Sequence, residues 1–71
     1  MQIKVKFITR SDFYSFDKDG KHYEGYTVHA YDAKADKLIK CHSDKEINAQ
    51  FGDEILVRCV PNGDRIKYEV A

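Results

Sequence analysis

The chain has 71 residues, 34% of them charged and 42% hydrophobic, and its twelve Lys/Arg balance its twelve Asp/Glu to a net charge of zero. This is the composition of one small folded domain over residues 1–71, and it excludes a disordered tail and a strongly basic nucleic-acid binder. A chain this short hides only about 60% of its unfolded surface, so it supports a single compact core.

No apolar run is long enough to cross a bilayer. The opening MQIKVKFITR has no apolar stretch followed by a small-residue cleavage site, so the expected location is the cytoplasm, with no membrane partner. A neutral sum can still hide a basic face. Residues 1–11 carry Lys4, Lys6 and Arg10 and no acid, while Asp17, Asp19, Asp32, Asp36 and Asp64 fall in expected turns.

The elements read as strands. QIKVKF alternates, with Ile3, Val5 and Phe7 on one face and Lys4 and Lys6 on the other. The pair Phe7-Ile8 breaks that parity, and aromatic residues continue through TRSDFYSF, so a long, bent first strand with a bulge is expected. DKDG at 17–20 is a turn. The second strand covers about 21–31, with Tyr26, Val28 and Ala30 inward and Lys21, Tyr23, Thr27, His29 and Tyr31 outward. DAKADK is a polar connection. LIKCHS is a third strand, Ile39 and Cys41 inward, Lys40 and His42 outward.

Ser43 or Asp44 with Glu46 resembles a capping box, Ile47 and Phe51 stand at i,i+4, and Gly52 can end a helix; a short helix over about 44–50 is expected. DEILVRCV is a fourth strand, apolar on both faces and therefore central. Asn62-Gly63 is the strongest hairpin signal in the chain. RIKYEV is the fifth strand, with Ile66, Tyr68 and Val70 inward. Three strands, a short helix and two strands make an all-β domain with a small α element, and that order fits a five-stranded OB-fold-like barrel. An SH3-like barrel is the competitor, but its helical turn lies between the last two strands, where this chain has Asn-Gly.

Chemistry is sparse. Cys41 and Cys59 lie 18 apart in apolar runs, as two reduced core thiols would. A metal site would have to recruit Cys41, His42, Cys59 and His29, without any C-x-x-C or H-x-x-x-H spacing. Cys41 and His42 are strand neighbours and point apart, so they make a poor catalytic dyad. There is no phosphate loop and no H-E-x-x-H. The expectation is a non-enzyme without metal or cofactor.

Binding is the better class. Lys4, Lys6 and Arg10 on the first strand, Lys21, Tyr23, His29 and Tyr31 on the second, and Lys40 on the third mix cations with flat rings. Tyr14 and Phe16 add rings in the first hairpin. Single-stranded nucleic acid suits that mixture, since cations track phosphates and each ring stacks on a base for about 1–3 kcal/mol. The bland alternative for any one tyrosine is cross-strand packing with a wet hydroxyl.

The segments MQIKVKF, TRS and GKHY resemble the gene V-type helix-destabilising proteins of filamentous bacteriophages. Those proteins open with a basic alternating strand and carry a Thr-Arg-Ser-like step before Gly-Lys-x-Tyr. The resemblance covers roughly the first half of the chain. It implies an OB-fold homodimer that coats single-stranded DNA during bacteriophage DNA replication, in the host cytoplasm. It makes Arg10 a phosphate contact and puts Lys21 and Tyr23 at the binding strand and its loop. The second half departs, with the expected helix and the tight Asn-Gly turn. The ligand class is single-stranded DNA, with RNA not distinguished. The alternative is a small protein-interaction module, a phage or plasmid accessory factor, using exposed rings or an open edge of the last strand.

Overall fold

The computed structural model describes all residues, 1–71. Six strands form: β1 (Gln2–Arg10), β2 (Tyr14–Lys18), β3 (Lys21–Asp32), β4 (Lys37–Ser43), β5 (Glu54–Asn62) and β6 (Arg65–Val70). There is no helix, and hence none long and apolar enough to cross a membrane.

β1 serves two seams. Its first half, Gln2–Lys6, runs antiparallel to β5, and its second half, Lys6–Arg10, runs antiparallel to β3. β3 pairs onward with β4, β4 runs parallel to β6, and β6 returns to β5. Five strands thus close into a barrel in the order β1-β3-β4-β6-β5, which is the OB-like arrangement. β2 is the sixth strand and pairs only with β3. Residues 14–25 therefore project from the barrel as a two-stranded wing.

The core is small because the chain is small. Val5, Phe7, Val28, Ala30, Ile39, Cys41 and Val57 are buried, and Ile3, Ile47, Ala49, Ile55, Tyr68 and Val70 pack around them. Period-two alternation brings these side chains to one face of each strand. Ile66 departs from that expectation. It stands on the outside near the β5–β6 turn, 54% exposed.

The bulge falls at Ile8. Phe7 opposes Ala30 and Thr9 opposes His29, so Ile8 is the extra residue. One inserted residue reverses parity beyond it. Thr9 is outward and Arg10, opposite Val28, is on the core side. Chain order and bulge match the expectation of a bent first strand. The strand does not run on, however, because Ser11 breaks it: its amide donates to the Thr27 carbonyl and its hydroxyl accepts from the Thr27 amide.

The expected helix over 44–50 does not form; those residues bend at 44–45 and then run without regular secondary structure. Ile47 and Ala49 alternate inward, closing one end of the barrel, while Phe51 is 80% exposed. The capping signals are spent elsewhere. Ser43 is buried at the end of β4, and its hydroxyl donates to the Lys45 carbonyl and accepts from the Lys45 amide. Glu46 reaches Arg10 instead of a cap. Seven residues also fall short of what nucleates a helix without strong packing. The segment ends by pairing: Gly52 N–H donates to the Phe7 carbonyl, and Phe7 N–H to the Asp53 carbonyl.

Three hairpin turns differ in kind. Asp19 and Gly20 both have positive φ, 52° and 76°, as a type I′ turn requires. In the last hairpin Asn62 pairs with Arg65, so the central residues are Gly63-Asp64 and not the expected Asn62-Gly63. Only Gly63 has positive φ, which is the requirement of a II′-like turn. Between β3 and β4, the Asp32 carboxylate accepts from the amides of Lys34 and Ala35 and folds the polar DAKADK connection.

Gly25 is the pivot between barrel and wing. Its φ is +136°, and a Cβ there would lie 2.5 Å from the Ser43 carbonyl oxygen and 2.8 Å from the His42 ring. Gly25→Ala therefore has both strain and a backbone clash, and is expected to lower stability by more than about 1 kcal/mol. Gly20→Ala meets nothing within 4 Å and carries only the positive-φ strain. Urea midpoints of the two variants, compared with the parent, check the difference.

Candidate nucleic-acid interface

Side chains directly opposite one another on paired strands share a face. On the wing these rows are Tyr14 with Gly25, Phe16 with Tyr23, and Lys18 with Lys21. Along the barrel they are Thr27 with His42, His29 with Lys40, Tyr31 with Leu38, Thr9 with His29, and Lys6 with Tyr31. All belong to the odd-numbered, outward side of β3. The rows therefore join into one face running from the wing tip to the far end of β3.

Rings dominate the wing end. Phe16 and Tyr23 stack with centroids 5.3 Å apart and planes 23° from parallel. Tyr14 lies 5.8 Å from Phe16 and meets the His42 ring edge-on at 6.2 Å. Its hydroxyl is 2.8 Å from His42 Nδ1, and His42 Nε2 is 2.8 Å from Asp44 Oδ1. With the ring proton on Nε2, Tyr14 donates to Nδ1 and His42 donates to Asp44. Tyr14 is thereby held, whereas Phe16 and Tyr23 remain 48% and 42% exposed. At the other end the Tyr31 hydroxyl donates to Asp36 at 2.5 Å, which raises its pKa above the ordinary 10.0 and keeps it protonated.

Charge is sorted between the two sides of the wing. The ring side carries Lys18 and Lys21, and the reverse side carries Ser15, Asp17, His22 and Glu24. None of Lys6, Lys18, Lys21 and Lys40 is in an ion pair. On the reverse side His22 Nδ1 lies 2.8 Å from Asp17 and Nε2 lies 3.2 Å from Glu24. Those hydrogen bonds, Asp17 first, raise the His22 pKa above 6.5.

Of the ten residues expected from the sequence, the structure gathers Lys6, Tyr14, Phe16, Lys21, Tyr23, His29, Tyr31 and Lys40 on this face. Lys4 is at its margin, 3.7 Å from Glu54. Arg10 is not on it. The bulge turns its side chain inward, where the guanidinium lies 2.7 Å from Glu46, donates to the Ser11 carbonyl and sits 5.4 Å from the Tyr26 ring centroid. Phe13 closes the same corner edge-on to Tyr26 at 5.6 Å. Arg10 thus ties residues 44–53 to the barrel.

The ten expected residues do not include Lys18, whose parity with Lys21 across the Asp-Gly turn places it on the same side. They also leave out Leu38 and Phe51, 73% and 80% exposed, which lie with Ile8 beside Tyr31 around an apolar depression. The thiols are unremarkable. Burial, then the neighbouring Cys59, pushes Cys41 up to about 11, which disfavours its thiolate form.

Two outcomes follow. Arg10→Ala is expected to lower the melting temperature, losing about 1 kcal/mol, because the pair is partly exposed and the ring contact is modest; thermal unfolding checks this. For His22, the protonated form is favoured in the folded chain, so its contribution is full below pH 6.5 and is lost as pH rises through the raised value. An NMR titration should show His22 above 6.5, moving down in Asp17→Asn.

No family model, curated protein or solved structure matches this chain.

Proposed function

We propose that the protein is a non-catalytic binder of single-stranded nucleic acid, held along the outward face of β2, β3 and β4. The observation that carries this reading is the continuity of that face, with unpaired lysines alternating with accessible rings. Lys6, Lys18, Lys21 and Lys40 would track phosphates, and Phe16, Tyr23, His29 and Tyr31 would offer ring faces to bases. An OB-like barrel commonly binds oligonucleotides on its second and third strands and the adjoining first loop, which here correspond to β3, β4 and the wing. The likeness of MQIKVKF, TRS and GKHY to gene V-type proteins points to the same ligand, DNA, in a phage or plasmid setting.

Flat rings favour a single strand because duplex bases are already stacked on one another. The zero net charge does not oppose this, since acids gather on the reverse side of the wing and in the turns. The second reading, a protein-interaction module, draws on the exposed Leu38 and Phe51, clustered with the half-buried Ile8. In that reading the last strand offers only a short edge, because β6 is paired with β5 along its length and with β4 at Tyr68 and Glu69.

Titration with oligo(dT) and with a duplex of equal length, at two salt concentrations, separates the readings. The expected result is quenching of tyrosine fluorescence by oligo(dT), weaker binding of duplex, and affinity falling with salt. Tyr23→Ala should cost about 1–3 kcal/mol of binding. Lys21→Gln should weaken binding and flatten the salt dependence by about one counterion. Absence of oligonucleotide binding at low salt, or binding untouched by either variant, would overturn the proposal.

A further inference from the structure

Every barrel strand has neighbours on both sides, but β2 has one. Closure removes the edges of a sheet, and this fold leaves β2 open. The hairpin turn fixes which of its backbone groups are free. Lys18 and Lys21 flank the two-residue Asp19-Gly20 turn and form the hydrogen-bonded closing pair. Antiparallel pairs alternate from there, so Tyr14, Phe16 and Lys18 bond to β3, while Ser15 and Asp17 direct N–H and C=O outward. No backbone hydrogen bond from another element meets them. Ser15, Phe16, Asp17 and Lys18 are exposed. The wing's other edge, at His22 and Glu24, instead overlooks a groove flanked by His42, Asp44 and Lys67.

We propose that the free edge of β2 pairs antiparallel with β2 of a second copy of this chain, about a two-fold axis at Phe16. The sequence YSFDK is self-complementary in that register. Ser15 faces Asp17 of the second copy, and these are the residues whose free N–H and C=O groups can exchange bonds, giving four across the axis. Phe16 meets Phe16 of the second copy in a non-hydrogen-bonded pair, where side chains come closest. Tyr14 faces Lys18 of the second copy, a ring against a cation. On the reverse side a hydroxyl, that of Ser15, faces the Asp17 carboxylate. No like charges are opposed. Shifting the register by one residue breaks the match between outward-facing backbone groups.

The pairing makes a four-stranded sheet of two wings, with both ring sides on one surface. A five-residue strand buries little area, so the association is weak and depends on concentration. The inference does not rest on nucleic-acid binding, and either can fail alone.

Cysteine cross-linking reads the register directly. In a Cys59→Ser background, Phe16→Cys should form a disulfide-linked dimer under mild oxidation at high protein concentration. The facing Cα atoms would be about 4.5 Å apart, which a disulfide accepts. Lys40→Cys, on the same molecular face but remote from the axis, should stay monomeric. Without mutation, a dilution series followed by amide exchange should show Ser15 and Asp17 protected at high concentration and exposed at low. Ser15→Pro, lacking the outward N–H, should abolish the concentration dependence. Equal cross-linking at Phe16→Cys and Lys40→Cys, or free exchange of the Ser15 and Asp17 amides at millimolar concentration, would overturn the proposal. So would protection of those amides only by a different protein.

Discussion

The close approach of the Gly25 backbone to the Ser43 carbonyl is the contact on which the rest of the molecule depends. A side chain at that position would have to occupy space held by the end of β4 and the His42 ring. Its absence lets β3 coil sharply, leave the barrel and enter the wing as one strand. β3 is consequently shared: residues Tyr26–Asp32 close the barrel against β1 and β4, and residues Lys21–Gly25 carry β2. The sharp coil at this point also brings Tyr14 against His42, so that the ring cluster of the wing and the cations of the barrel lie on one surface. Mobile linkage between barrel and wing would leave them as two unrelated patches.

Much of the fold was legible because the side-chain period in a strand is two. Alternation placed Val5, Phe7, Val28, Ala30, Ile39 and Cys41 inward, and each is buried. The odd rows of β3 were legible for the same reason, and eight of ten expected site residues share its outward side. Arg10 escaped because parity is counted from a starting point. A bulge was readable at Phe7-Ile8, but its effect on the residues beyond it was not applied to Arg10. The helix at 44–50 escaped for a different reason. Local capping and i,i+4 signals are weak energies, and a segment that must span the barrel mouth while burying Ile47 and Ala49 obeys the tertiary demand. The Gly63-Asp64 turn shows the limit of dipeptide signals: Asn62-Gly63 foretold a hairpin, and strand register moved its centre by one residue.

Zero net charge proved a poor guide to the surface. The two sides of the wing differ because alternation sorts YSFDK and KHYEG by parity, sending Tyr14, Phe16, Lys18, Lys21 and Tyr23 one way and Ser15, Asp17, His22 and Glu24 the other. The same rule that builds a core in the barrel builds a two-sided ribbon in the wing, where there is no core to fill. His22 hydrogen-bonds both Asp17 and Glu24 on the acidic side, so the reverse face is self-satisfied while the ring side has unpaired cations.

The order in which the barrel closes has a consequence for how the chain reaches this structure. Its closing seams join distant parts of the chain: β1 to β5, and the short parallel contact of Cys41 and His42 with Tyr68 and Glu69. Loop-closure entropy makes such pairings slow, whereas β2, β3 and β4 follow one another through short turns. Search time is therefore concentrated in the seams that join the β5–β6 hairpin to β1 and β4. The ribbon that carries the rings is the cheapest part of the molecule to assemble, and the barrel that positions it is the part that must wait.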